Sequence, residues 1–186
     1  NLKSTGSNRL RNTNNLKTAV VNDLKFKSLD YYSGKGFKNN FSIYFKNLNA
    51  VGKNDLVYDS SPTIDAMSIF EVGSSFPLLK EDLENKQILT PKVSFRLNPG
   101  NDKRNSTATN IVDAHNAFEI NRLGISDSFE AGKSITMGLD YKFDIKNEIS
   151  SKNKYLEFKL ATVFRDKVED KIPEVSTLDK KGSNIF

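Results

Sequence analysis

Between Ser134 and Phe143 the chain reads SITMGLDYKF, and every second residue is large and apolar: Ile135, Met137, Leu139, Tyr141 and Phe143. The residues between them, Ser134, Thr136, Gly138, Asp140 and Lys142, are small or polar. Successive side chains of a strand point to opposite faces, so this stretch predicts a ribbon with one apolar and one polar side. The same alternation recurs along the chain. Leu156, Phe158, Leu160 and Phe164 alternate with Glu157, Lys159, Ala161 and Val163. Val93, Phe95 and Leu97 alternate with Lys92, Ser94, Arg96 and Asn98. Phe70, Val72, Phe76 and Leu78 share one parity against Glu71, Gly73 and Ser75, and Phe41, Ile43 and Phe45 share one against Ser42, Tyr44 and Lys46. Leu24 and Phe26 alternate with Lys25 and Lys27, and the parity then slips at Leu29 and Tyr31, which predicts a bulge.

Six strands are predicted, over 20–32, 37–49, 64–78, 87–98, 131–144 and 154–165. Most reach 10 residues or more, above the globular mode of about 5–6. No stretch has a convincing helical period; PLLKEDLENKQIL (77–89) comes closest and reads as a turn between strands. Pro77 and Pro91 are expected at strand ends, where a missing N–H does little harm. Short turns are expected near 33–36 (SGKG), 79–86 and 145–153, and long loops near 50–63, 99–130 and 166–182. Short and long alternate, so an up-and-down meander over 1–186 is trimmed at one end and carries large loops at the other.

Composition narrows this picture. Apolar residues make up 37% of the 186 positions, below the globular share of about 45–50%, yet 13 are Phe. No run approaches the roughly 20 apolar residues of a membrane helix, which excludes a helical membrane protein. Without cysteine the chain has no disulfide and no thiolate metal site. The net charge of +5 is mild, and Lys and Asn are spread throughout. The chain starts at Asn1 with no charged-then-apolar leader and stops on SNIF, and both ends look cut, so a piece of a longer protein is expected.

Two environments produce such alternation. In a soluble sandwich the apolar parity meets a second sheet; in an outer-membrane barrel it meets lipid while the polar parity meets a wet lumen. Strands of about 9–11 residues suffice to cross a membrane when tilted. Barrels of this kind pair short periplasmic turns with long outer loops and carry aromatic girdles. Tyr31, Tyr32 and Phe37 flank the first short turn, Phe76 precedes the second, and Tyr141, Phe143 and Tyr155 flank the third. The barrel reading places Lys25, Lys27, Lys46, Lys92, Arg96, Lys142 and Lys159 toward water in the lumen and keeps ionised residues off the opposite side in mid-strand. The fold expected is therefore all-β, an antiparallel meander forming part of a transmembrane β-barrel and open within this stretch, since six strands fall short of the smallest barrels of about 8.

Two stretches carry more than rhythm: QILTPKVSFRLNPG (87–100) and NAFEINRLGISDSFEAGKSITMGLDYKF (116–143). Together they resemble the lipopolysaccharide-assembly outer-membrane protein family (LptD, also called the organic-solvent-tolerance protein). In that family a strand opening on LTP climbs to a long loop that closes on a pattern like NRxxGxDxxExGxxLTxGxxY. Asn121, Arg122, Asp127, Glu130, Gly132, Thr136, Gly138 and Tyr141 occupy those positions here, and Gly124 stands one residue before the pattern's first glycine. FRDKVED (164–170) is similar to the alphaproteobacterial branch. The specific likeness covers about a third of the chain. It implies a place in the bacterial outer membrane, lipopolysaccharide as cargo, a plug lipoprotein (LptE-like) in the lumen and a periplasmic bridge protein (LptA-like) as partners, with no enzymatic activity and no cofactor. It also implies a jellyroll and two gate strands, neither of which this stretch holds.

The loop can be read without the family. Asn121, Arg122 and Asp127 bracket Gly124, a position able to turn at positive φ. Arg122 is placed to pair with Asp127 or Glu130 and pin the returning loop to its strand. The sharper alternative has Arg122, with Lys103 or Lys133, touching lipopolysaccharide phosphates. His115 is the sole histidine, and Asp113 and Glu119 make poor transition-metal partners for it, so an exposed loop histidine is expected. No Ser-His-Asp set can be assembled, and Asp65, Glu71, Asp140 and Glu157 are scattered singly rather than paired for acid/base work. Gly34-Lys35-Gly36 lacks the spacing of a phosphate loop, and the basic residues lie on the parity opposite the aromatics, which argues against nucleic acid. The competing functions are another outer-membrane barrel, porin-like channel or receptor, and a soluble secreted β-sandwich binding module. An inward-folded acidic loop would mark the porin, whereas 121–132 carries mixed charge.

Overall fold

The alternating segments pair edge to edge into one antiparallel sheet, because each presents the same two-sided pattern to its neighbours. In this computed structural model residues 1–11, 14–100, 110–145, 154–167 and 184–185 are described. In chain order the strands are β1 (Leu2–Arg11), β2 (Asn15–Lys27), β3 (Tyr31–Tyr32), β4 (Lys38–Lys53), β5 (Thr63–Ser75), β6 (Leu78–Glu81), β7 (Asn85–Asn98), β8 (Gly132–Ile145), β9 (Lys154–Arg165) and β10 (Asn184–Ile185). The sheet runs β1-β2-β4-β5-β7-β8-β9-β10, with β3 and β6 as short extensions on β4 and β7. Sequence neighbours are sheet neighbours throughout, as in an up-and-down meander. Among the described residues there is no helix, and β1 and β10 do not pair, so the sheet is open.

Six of the strands were expected; the last keeps its limits, 154–165, while the first and third end early, at Lys27 and Ser75 rather than at 32 and 78. β2 begins at Asn15 rather than at 20, and β4 runs on to Lys53, which shrinks the loop expected over 50–63. The turn expected over 79–86 is narrower, because Leu78–Glu81 pairs with Lys86–Leu89 of β7. Inside it, Asp82 Oδ1 accepts the backbone N–H groups of Glu84 (3.0 Å) and Asn85 (2.7 Å). Pro91 lies inside β7 opposite Leu139, not at a strand end; its carbonyl still accepts from the N–H of Phe76 at 2.9 Å. The turn at 33–36 is tight, with Gly36 at φ +87° donating to the Ser33 carbonyl. The expected bulge is present: Lys27 faces Ser42 and Tyr31 faces Asn39, so three residues of one strand oppose two of the other. The turn expected near 145–153 and the loop near 166–182 fall almost wholly outside the described residues.

Register makes the two faces explicit. On one rung Phe41, Val72, Phe95, Ile135 and Phe164 lie side by side across β4, β5, β7, β8 and β9. One residue along, on the opposite face, Lys27, Ser42, Glu71, Arg96, Ser134 and Arg165 line up across β2 to β9. Among the described residues no second sheet covers the apolar face. Leu24, Phe26, Phe41, Phe45, Phe70, Val72, Val93, Phe95, Ile135, Met137, Leu156, Phe158, Leu160 and Phe164 are all between 39% and 62% exposed. The buried positions belong to the polar face instead, where the segment from Asn110 to Ala131 folds over the sheet.

Candidate functional site: the loop-covered polar face

The segment 110–131 holds its own shape through short polar contacts. Asp113 Oδ1 accepts the backbone N–H groups of His115 (2.8 Å) and Asn116 (3.0 Å), and the N–H of Ala117 reaches the Asp113 carbonyl at 2.9 Å. Those two donors hold the Asp113 carboxyl below its ordinary value. Asn116 returns the favour, accepting from the Asp113 N–H and donating to the Ile111 carbonyl. The Asn121 amide clamps Ile125 in both directions, Nδ2 to the carbonyl at 2.9 Å and Oδ1 from the N–H at 3.2 Å. Between them Gly124 turns at φ +65°, the conformation anticipated for it.

This shaped segment lands apolar side down. Ile120 and Phe129 join Ala19, Leu48, Ala50, Met67 and Ile69 of β2, β4 and β5. Val112, Ala117, Leu123 and Ile125 join Ala161 and Val163 of β9. The polar parity of the sheet supplies small or aliphatic residues at these positions, so the face is polar only between them. Phe118 lies against β8 at Gly138, where a Cβ would sit 2.7 Å from the ring. A long outer loop was expected near 99–130; from Asn110 onward this segment lies on the polar face. The apolar residues of the segment are buried there against the small and aliphatic positions of that face.

Glu130 is the centre of the attachment. Its Oε1 receives Arg122 Nη2 at 2.6 Å and Arg165 Nε at 2.8 Å. Its Oε2 receives Arg122 Nε at 2.8 Å and Arg96 Nη1 at 3.4 Å. Arg122 is fully buried and also donates to Thr136 Oγ1 (3.2 Å) and Ser134 Oγ (3.3 Å) on β8. Arg96 donates to the Ile120 carbonyl at 3.1 Å, and Asn98 Nδ2 to the Glu130 carbonyl at 3.0 Å. Burial alone pushes the Glu130 carboxyl up, but the guanidiniums of Arg122, Arg96 and Arg165 outweigh it and hold the group well below the usual carboxylate range.

A second fastening lies toward β2. Lys46, 2% exposed, donates to Asp23 Oδ1 and to the Ser126 carbonyl, both at 2.7 Å, with its ammonium 5.2 Å from the Phe129 ring centroid. Asp127 does not meet Arg122; its Oδ2 accepts from the Tyr58 hydroxyl at 3.0 Å. Burial, then the charge of Asp127, pushes the Tyr58 hydroxyl pKa up. Tyr58 is in turn placed by Asp55, whose Oδ1 accepts the N–H groups of Val57 (2.8 Å) and Tyr58 (3.0 Å). Lys46 and Arg96, expected in open water, are thus covered by the loop.

The remaining sequence candidates can be placed one by one. Gly132 holds φ +83°, and a Cβ there would lie 2.5 Å from Asp166 Oδ1, which accepts the N–H of Lys133 at 2.8 Å. His115 is exposed, with Nδ1 3.8 Å from Asp113 Oδ1, and no group of three His, Asp or Glu suited to a metal occurs among the described residues. Asp140 pairs with Lys92 at 2.8 Å and Glu157 with Lys159 at 2.8 Å, each with a cation rather than a second carboxylate. Lys103 lies outside the described residues. The structure thus gathers Asn121, Arg122, Gly124, Asp127, Glu130 and Gly132 onto one loop and its landing strand. It adds Arg96, Arg165, Lys46 and Tyr58, which spacing along the chain did not reveal.

Between the loop and β2, β4 and β5 a cavity of about 470 Å³ remains, lined in part by Lys25, Lys27, Tyr44, Glu71, Phe118 and Asn121. A scan against protein-family models and searches of the curated proteins and of the solved structures find no significant match for this chain.

Proposed function

We propose that this chain is a wall segment of a bacterial outer-membrane β-barrel of the lipopolysaccharide-assembly type, its apolar face set against acyl chains and its polar face against the lumen. The observation that carries the membrane half is the uncovered apolar face. Burying a Val, Leu, Ile or Phe side chain is worth about 1.5–3 kcal/mol. Fourteen such or similar side chains left roughly half exposed on one sheet forgo on the order of 10–20 kcal/mol in water, as much as the whole net stability of an ordinary domain. Hydrocarbon removes that deficit. The strand lengths of 12–16 residues in β2, β4, β5, β7, β8 and β9 exceed the crossing requirement of about 9–11. Among the described residues no helix is long and apolar enough to cross a membrane, which says nothing against a barrel.

The lipopolysaccharide half rests on the spaced motif from Asn121 to Tyr141, and the proposed role is transport rather than catalysis, with a plug lipoprotein and a periplasmic bridge protein as partners. The experiment has two steps. Expressed chain is moved from detergent to plain buffer; a monomer that stays folded without detergent overturns the membrane reading. A photo-crosslinking residue at Lys27 or Tyr44, in Gram-negative cells, should then capture lipopolysaccharide, and cross-links confined to protein overturn the cargo.

One observation favours a second reading. A loop folded onto the lumen-side face is how a porin-like channel narrows its pore, and residues 110–131 lie on that face. Ion conductance across planar bilayers, without lipopolysaccharide cross-links, would select the channel.

A further inference from the structure

Across β4, β5, β7 and β8 the rung Phe41, Val72, Phe95, Ile135 is followed on the uncovered face by Asn39, Ser74, Val93, Met137. At Ser74 a small hydroxyl thus stands where its neighbours carry rings or branched chains. The shortfall leaves a dent of about 430 Å³, lined in part by Phe37, Ser74, Phe76, Pro91, Val93 and Met137. The rings of Phe37 and Phe76, with centroids 4.8 Å apart, wall it toward the short-turn end. The turn at 33–36 backs onto that wall, since a Cβ on Gly36 would lie 3.2 Å from the Phe76 ring.

Beyond the dent the same face ends in charge. β6 keeps the register of β5 against β7: Ser75 faces Lys92 and Leu78 faces Leu89, with no residue gained or lost across Pro77. The apolar parity therefore runs through Phe70, Val72, Ser74, Phe76 and Leu78 to its first ionised residue, Lys80, which faces Gln87. Lys35 belongs to the turn that backs onto Phe76. Neither Lys35 nor Lys80 has a carboxylate within 4.0 Å among the described residues, whereas Lys38, on the opposite parity, pairs with Asp30 at 2.9 Å. Ser74 and Lys80 are six residues apart on one line of strand. At about 3.3 Å per residue and a tilt of about 45°, that line descends roughly 14 Å, close to half of a hydrocarbon core about 30 Å thick.

An apolar dent and two unpaired cations, separated by the depth of one leaflet, match a molecule with a long chain and a negative head. We infer that this face binds one anionic glycerophospholipid of the leaflet at the short-turn end, an acyl chain passing over Phe76 into the dent at Ser74 and the phosphate meeting Lys35 and Lys80. The lipid is a fixed part of the wall, on the side of the sheet away from the lumen. The inference goes beyond the proposed function and rests on its claim that the apolar face meets acyl chains.

The test is native mass spectrometry of the chain released from detergent, with dioleoyl phosphatidylglycerol or dioleoyl phosphatidylcholine added. One phosphatidylglycerol should stay bound, and the zwitterionic lipid should be held at least about tenfold less, as two lysines facing one negative head require. Lys35→Ala/Lys80→Ala should bring phosphatidylglycerol down to the level of phosphatidylcholine. Ser74→Leu fills the dent with a side chain that this face already accepts, so its circular dichroism should match the parent while retention falls at least about fivefold. Equal retention of the two lipids, retention that survives either variant, equal retention of dihexanoyl phosphatidylglycerol (whose chains stop short of the dent), displacement by equimolar inorganic phosphate, or tighter holding of lipid A would each overturn the assignment. A chain that needs detergent yet holds no lipid loses the site and keeps the barrel; a folded monomer in plain buffer that still takes up one phosphatidylglycerol keeps the site and loses the barrel.

Discussion

Arg122 grips Glu130 with two parallel hydrogen bonds, Nη2 to Oε1 at 2.6 Å and Nε to Oε2 at 2.8 Å, and both residues are buried. Because Arg165 and Arg96 reach the same carboxylate from β9 and β7, one side chain of the loop gathers cations from three places on the fold. Removing the carboxylate leaves guanidiniums facing one another without their shared partner. Glu130→Gln should therefore cost about 3–5 kcal/mol of loop attachment, the range for breaking one side of a buried ion pair. Limited proteolysis of the folded chain reads this directly, with cutting within 110–131 much faster than in the parent. Glu119→Gln, at an exposed carboxylate of the same loop, should change cutting little.

The same contact sets a pH dependence. The carboxyl of Glu130 is lowered in the fold from an ordinary value of 4.5, so its contribution is fully present above about pH 4.5. It declines as pH falls below that value, by about 1.4 kcal/mol per pH unit, until the folded group itself takes up a proton. Loop protection measured by hydrogen exchange should fall on this acid limb, and the fall should be absent in Glu130→Gln.

Met137 sits near the middle of β8 on the uncovered face, 48% exposed. In a bilayer an arginine there meets hydrocarbon, and Met137→Arg should destabilise the chain folded into vesicles by about 2–4 kcal/mol. On a water-facing surface the same change stays within about 0.5 kcal/mol. Urea titration in vesicles distinguishes the two, and a negligible effect argues against lipid contact.

Gly132 opens β8 at φ +83° with the Asp166 carboxylate where a side chain would begin. Gly132→Ala should cost about 1–3 kcal/mol through backbone strain, before the displacement of Asp166 is added. Thermal unfolding in detergent should register it as a lower midpoint.

Period two made β4, β5, β7, β8 and β9 legible, because each carries its solvent preference in its own letters. The slip at Leu29 announced the bulge for the same reason. β1 escaped notice because LKSTGSNRLR has no alternation to read; it is a strand through its register with β2, from Leu2 against Leu24 to Arg11 against Asn15. The landing of 110–131 had a signal that went unused: Val112, Ala117, Ile120, Leu123, Ile125 and Phe129 are more apolar residues than a water-borne loop requires. The pairing of Arg122 with Glu130 was one of two alternatives, and Tyr58 decided between them by claiming Asp127. Arg165 entered the site only through β8–β9 register, which sets it opposite Ser134. No local spacing contains that information.

The rung that sets Phe95 between Val72 and Ile135, with Arg96 one step along and turned the other way, leaves this chain unequal tolerance of gaps. Losing one codon inside β7 would exchange grease for charge at every later position of that strand, while losing two would shorten it and keep each residue facing its proper medium. Over evolutionary time, insertions and deletions within such walls should come in even numbers, and odd ones should be confined to bends like the one at 28–30.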